Sequence, residues 1–354
     1  MTTATSLPTP FPIPSDAAGA APAAVPEGRV ALPHLGVIRA SGADAATFLQ
    51  GQLSNDVLLL APGQARLAAY CSPKGRVLAS FVVYKQPGAE GAPPDLLLVC
   101  PRDGLAATLK RLSMFVLRAK ARLTDASDQI AVYGAVGGAQ ADAGAEDPAL
   151  AGLGEPPWSA SVPPSPEQPG ILAAIRLHPA AGQSRALLLA DAATPPGPAG
   201  SLDLAAWLWL DTLAGVPLVA PAVTDQFVPQ MLNYESTGGV SFKKGCYPGQ
   251  EVVARSQFRG TLKRRLYVAR SPVPLQAGQD VLHGPDAAQA TGLVVQAAPV
   301  PEAAPGQATP AWVAAVSVQT AAAESAEGLW VLDAQGQPVA LQLLERPYTL
   351  LEDI

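Results

Sequence analysis

One lysine, one cysteine, two glycines, a tyrosine and two acid or amide side chains crowd the eight residues Lys244-Gly245-Cys246-Tyr247-Pro248-Gly249-Gln250-Glu251. Such residues are poor material for a core, and together they read as a site. The apolar run Gly239 to Phe242 before them predicts a strand. Pro248 suits the first position of a helix, where its missing N–H costs nothing. Cys246 then lies just ahead of a helix start and two residues after the Lys243-Lys244 pair. Both features favour thiolate over thiol. Gly245 and Gly249 permit a positive φ or a close approach of backbone to ligand. Lys244 is expected to hold an anion or support the thiol, and Tyr247 to stack or hydrogen-bond. Gln250 and Glu251 are expected to cap the helix, with Glu251 pairing to Lys244.

Charge reinforces this reading. Net charge is −6, which argues against global attraction to nucleic acid or an anionic membrane. Yet Lys243 to Arg265 holds seven basic residues, Arg255 among them, and one acid, so it carries +6 and leaves −12 on the rest. An anionic ligand is expected there. Nearer the start, Asn55 and Asp56 end the first helical run as a helix stop and turn or as polar groups facing a cavity. Cys71, Cys100 and Cys246 form no C-x-x-C pair, and the histidines are only His34, His178 and His283. Neither a disulfide framework nor a dedicated metal site is expected, and a reducing cytoplasm fits.

The elements that must position these groups follow in order. Residues 1–28 are rich in Pro and Ala and predict a disordered tail, with neither signal nor transit peptide character. Strands are expected at 37–40, 65–70, 75–84, 95–100, 121–123 and 130–134, with helices through 48–53 and over 102–115. Residues 137–170 lack periodicity and predict an irregular insertion. Paired strands at 171–177 and 186–189 and a helix at 202–213 precede the motif. That helix carries Asp203 and Asp211 and ends at Gly215 and Pro217, so a membrane span is rejected. Beyond Gly260, six short strands between turns predict a small antiparallel barrel, with a flexible loop at 299–310.

The motif resembles the K-G-C-Y-x-G-Q-E signature of the YgfZ family, folate-binding relatives of the glycine-cleavage T-protein connected to iron–sulfur cluster maintenance. Phe227-Val-Pro-Gln-Met-Leu-Asn-Tyr-Glu235, Phe258-Arg-Gly260 and Phe48-Leu-Gln-Gly-Gln-Leu-Ser-Asn-Asp-Val57 are similar to the family as well. The resemblance spans roughly Arg29 to the C-terminus. It implies an α+β fold with two interwoven α+β domains over 29–258 and a C-terminal barrel over 262–354, arranged as a ring. It further implies tetrahydrofolate or a derivative as ligand, and iron–sulfur client or assembly proteins, tRNA-modifying enzymes included, as partners. Cys246 would be the working thiol. Neither direct nucleic-acid binding nor a membrane is expected, and a monomer is. The alternative is a true one-carbon or aminomethyl transferase. T-proteins carry a paired aspartate on the strand that here runs Gly75 to Tyr84, and this chain has Ala79 and Ser80 there, with no acid anywhere between Gln64 and Glu90. Relatives often place glutamate before the Ala-Gly pair, where this chain has Leu213. Aminomethyl transfer is therefore disfavoured.

Overall fold

The computed structural model describes residues 25–88, 91–138, 150, 153–154, 156–161, 170–197, 199–259, 262–301 and 311–351. The tail over 1–24, most of the 137–170 insertion, and 302–310 of the C-terminal loop lie outside the described residues.

The chain opens with β1 (Gly28–Ala31), β2 (Leu35–Ser41), α1 (Ala45–Gln50), β3 (Ala65–Cys71), β4 (Val77–Lys85) and β5 (Leu96–Pro101). Then come α2 (Arg102–Ser113), β6 (Arg122–Asp125), β7 (Ile130–Gly138), β8 (Ala160–Ser161), β9 (Ile171–Arg176), β10 (Gln183–Asp191) and β11 (Ala199–Gly200). Helices α3 (Leu204–Leu213) and α4 (Gln250–Phe258) flank the motif. The last part holds β12 (Arg264–Ser271), β13 (Asp280–His283), β14 (Ala290–Pro299), β15 (Trp312–Gln319), α5 (Thr320–Ala323), β16 (Leu329–Leu332) and β17 (Pro338–Leu343).

Two sheets share the first part. One runs β11-β1-β7-β10-β9-β8, the other β3-β4-β5-β2-β6. The chain enters the first with β1, builds the second from β2 to β6, and returns with β7, so the two units are interwoven. β5, the most apolar strand, lies at the centre of its sheet, as its unbroken Leu-Leu-Leu-Val run requires. Strands β12-β15-β14-β13-β16-β17 close a barrel.

The three units touch pairwise, which closes the ring. A core of Val37, Tyr84, Leu97 and Val99 from one sheet packs against Val132, Ile175, Leu187 and Leu189 from the other. Helix α3 lies over the first sheet, where Trp207 sits so close to Gly134 that a Cβ there would be 2.3 Å from the indole. Its Asp211 takes the buried Arg185 guanidinium on one oxygen and Gln296 of β14, at 3.0 Å, on the other. The segment 219–234 joins the second sheet to the barrel through Val223, Phe227 and Leu232, packed between Leu67 and Leu266. Among the described residues, no helix is long and apolar enough to cross a membrane.

Candidate functional site

The path into the motif is fixed by residues of the loop that follows α1. The Ser54 hydroxyl donates to the Gly239 carbonyl at 2.6 Å, and the Ser54 carbonyl accepts from the Ser241 N–H at 2.9 Å. The Asn55 amide donates to the carbonyls of Gly238 (2.6 Å) and Leu67 (2.7 Å). Ser54 thus holds Gly239 and Ser241, Asn55 holds Gly238 just before them, and the Gly239 N–H donates to the Tyr234 carbonyl; residues 239–242 follow from these ties. They form no strand, contrary to the sequence expectation, because no second strand lies alongside to complete a ladder. Asp56 has a local role, its carboxylate accepting from the Leu59 N–H at 2.8 Å to hold the turn after α1.

Lys244 is buried and its ammonium donates to the Gln50 and Leu53 carbonyls, both at 2.5 Å. Gln50 is the last residue of α1, so its carbonyl is one of the orphan acceptors of the helix end, and a cation at a helix C-terminus also suits the dipole; Leu53 lies three residues beyond. Tyr247, also buried, presents its ring 4.9 Å from the same ammonium. Burial lowers the Lys244 pKa to about 8, against the opposing pull of Asp56 and Cys246. Burial pushes the Tyr247 phenol up, so it stays protonated. The expected Lys244–Glu251 pair does not form: Lys244 faces backbone carbonyls, and Glu251 lies exposed on α4.

The helix itself starts two residues later than expected. Pro248 is in a turn, and Gly249, at φ +79°, is the residue before the first helical one, Gln250. A Cβ on Gly249 would lie 2.4 Å from the Ser72 carbonyl oxygen, so this glycine serves close packing on the β3–β4 turn. Gly245 has open space around it, and Cys246 is exposed. Cys71 and Cys100 are buried, with thiols pushed up to about 12 by loss of water.

A cavity of about 680 Å³ opens beside the segment preceding the motif. Asn55, Arg66, Trp158, Glu235, Phe242 and Lys243 are among its walls. Of the sequence-predicted residues only Asn55 lines it. Asp56, Lys244, Gly245, Cys246, Tyr247, Gly249, Gln250 and Glu251 do not, and Arg255 lines a separate groove. Glu235 is 3% exposed and pairs with Arg265 through Oε1, which also accepts from the Ser236 hydroxyl at 2.9 Å. Its Oε2 is buried without a hydrogen-bond partner. Trp158 holds a left-handed backbone (φ +71°), with its indole N–H donating to the Thr237 carbonyl at 2.7 Å. A tryptophan so placed is uncommon and points to function. Sequence reasoning missed both residues as site members. A lone Trp in a Gly/Pro-rich stretch and a lone Glu closing the Phe227–Glu235 run were the available signals.

No family model matches the chain. The tRNA-modifying protein YgfZ of Enterobacter sp. (strain 638) is 35% identical over 256 residues, covering 68% of this chain and 72% of that protein. The protein of the same name from Escherichia coli (strain K12 / DH10B) is 34% identical over 255 residues, covering 68% and 72%. The chain belongs to the YgfZ family. The crystal structure of glycine cleavage system aminomethyltransferase T from Bartonella henselae superposes with a TM-score of 0.61 at 16% identity, over 92% of this chain and 87% of that one. That likeness shows a shared fold.

In this YgfZ-family chain, the two β4 positions that carry a paired aspartate in T-proteins offer no carboxylate. Ser80 is fully buried, and its hydroxyl accepts from the Val219 N–H at 2.8 Å; Ala79 beside it has no polar group. Leu213 packs at the edge of the core between the sheets. Glu235 is the one acid among the described residues lining the cavity.

Proposed function

We propose that this YgfZ-family chain binds tetrahydrofolate or a derivative in the cavity beside Glu235. In the cytoplasm it serves the assembly or repair of iron–sulfur clusters in [4Fe–4S] enzymes. The observation that carries the reading is the spare Oε2 of Glu235, a buried acceptor without a donor at the wall of a cavity large enough for a cofactor. A pterin ring offers amino and ring N–H donors, the complement of a buried carboxylate. Trp158 and Phe242 supply flat apolar surface for the ring, and Arg66 and Lys243 supply cations for the glutamate tail. The cavity therefore fits the group chemically.

Two observations argue against aminomethyl transfer. Glu235 is the one carboxylate among the described residues lining the cavity, and β4, which lies outside its walls, carries Ala79 and Ser80 in place of an aspartate pair that could orient a ligand or move a proton near neutral pH. Cys246 is the chain's exposed thiol, three residues beyond Lys243, and offers a soft nucleophile or single ligand to a cluster or partner thiol. That the relatives named above are tRNA-modifying proteins supports clients among tRNA-modifying enzymes.

Cells lacking the protein test this. They should lose activity of [4Fe–4S]-dependent tRNA-modifying enzymes, most under oxidative stress. The wild type, Cys71→Ser and Cys100→Ser should restore it, and Cys246→Ser should not. Full rescue by Cys246→Ser would remove the thiol from the account. Turnover of an aminomethyl substrate by the purified wild type would favour the transferase instead.

A further inference from the structure

Helix α4 has two working faces. Phe258 meets Phe242 of the first cavity edge-on, with ring centroids 5.3 Å apart. Val252, Arg255, Ser256 and Arg259, spaced as one helical face, line a different groove of about 810 Å³. Arg76 from the β3–β4 turn and Lys263 and Arg264 from the start of the barrel complete its walls. Five cations thus converge, four of them arginines, and no carboxylate is among the described lining residues.

Their partners are also telling. Arg76 donates to the Gln226 carbonyl, a neutral acceptor, at 2.5 Å. None of Arg255, Arg259, Lys263 and Arg264 has an acidic partner among the described residues. Arg264, partly buried, is further opposed by the like charge of Arg76. A chain with 29 acids and a net charge of −6 has ample means to neutralise such a cluster, and here it does not. Like charges held together without counter-charges in one concavity form a receptor for an external anion.

We infer that this groove binds a phosphate-ester ligand, the phosphates of a nucleotide or of an RNA strand. Charge density decides for a nucleotide's oligophosphate over a run of carboxylates, because its two or three phosphoryl groups concentrate their charge within one groove. An RNA strand, with one charge per phosphodiester, is the second source of the same phosphate oxygens. An acidic peptide brings one carboxylate per acidic residue, so five of them spread over up to ~17 Å of extended chain. Arginine forks also bind phosphate oxygens in pairs, which lysines cannot.

Calorimetric titrations with tripolyphosphate, ATP, a single-stranded RNA dodecamer and hexaglutamate test the proposal on the full chain. The comparison is with the double variant Arg259→Gln/Lys263→Gln, whose two positions are exposed, so its melting temperature checks that the fold is kept. The phosphate-bearing probes should bind the wild type and lose affinity tenfold or more in the variant. RNA affinity should fall with salt in proportion to the number of phosphates held. A dodecamer binding more than tenfold tighter than tripolyphosphate identifies RNA as the source. Equal affinities identify a free nucleotide or oligophosphate. Hexaglutamate binding as tightly as tripolyphosphate, wild-type affinity in the double variant, or no binding by any phosphate probe would each overturn it.

Discussion

Lys244 donates its ammonium to the carbonyl of Gln50, 194 residues earlier in the chain, and so closes the open end of α1 from the motif loop. The lysine of the motif is thereby a structural strut between the first helix and the loop that carries Cys246. Lys244→Met would leave the Gln50 and Leu53 carbonyls without their donor, at a cost of about 1–3 kcal/mol. Its pH signature is distinctive. The native pKa, lowered by burial to about 8, lies below the 10.5 of the free group, so the unfolded chain binds more protons between those values. This group's contribution to stability is fullest above 10.5 and is lost as pH falls through about 8. In urea melts at pH 7.5 and pH 9.5, the stability of wild type relative to Lys244→Met should rise with pH. A gap that narrows would contradict the buried-cation assignment.

The two motif glycines should behave differently. Gly249→Ala places a side chain on a left-handed residue and against the Ser72 carbonyl, and should cost at least about 2 kcal/mol. Gly245→Ala meets open space without a positive φ and should change stability by less than about 0.5 kcal/mol. Thermal melts of the two variants check this, and equal losses would show that the loop packs otherwise.

Much of the frame is legible in the sequence. The barrel strands are bounded by turns and alternate or run apolar, so each of the six is found within a few residues. β3, β4, β5 and α2 are equally plain. The errors have local causes. Gly239-Val-Ser-Phe242 has a strand's composition, but whether it pairs depends on what lies beside it, and what lies there is Ser54 and Asn55. The start of α4 is set by the left-handed Gly249, packed on Gly75, a contact that Pro248 cannot reveal. The cavity was hidden because Asn55, Trp158, Glu235 and Leu351 meet only in three dimensions. Likewise the basic run reads as one feature, and α4 divides it between two concavities.

Thiol chemistry offers a simple check. Of the three cysteines only Cys246 is exposed, while Cys71 and Cys100 are 1% and 2% exposed with thiols near 12. An aromatic disulfide reagent at pH 8 should titrate one thiol in the native protein and three in denaturant, and Cys246→Ser should remove the native one. Rapid reaction of two or more native thiols would contradict the packing around β3 and β5.

Folate binding in the cavity beside Glu235 is measured by calorimetric titration of the purified chain with tetrahydrofolate and its pentaglutamate. The wild type should bind one equivalent and gain thermal stability from the ligand. Arg66→Ala/Lys243→Ala should weaken the pentaglutamate by about tenfold, with less effect on the monoglutamate. Affinity for the pentaglutamate should also fall with added salt. Absence of heat and of a melting shift with either folate, or binding unaltered by Arg66→Ala/Lys243→Ala and by salt, would contradict it.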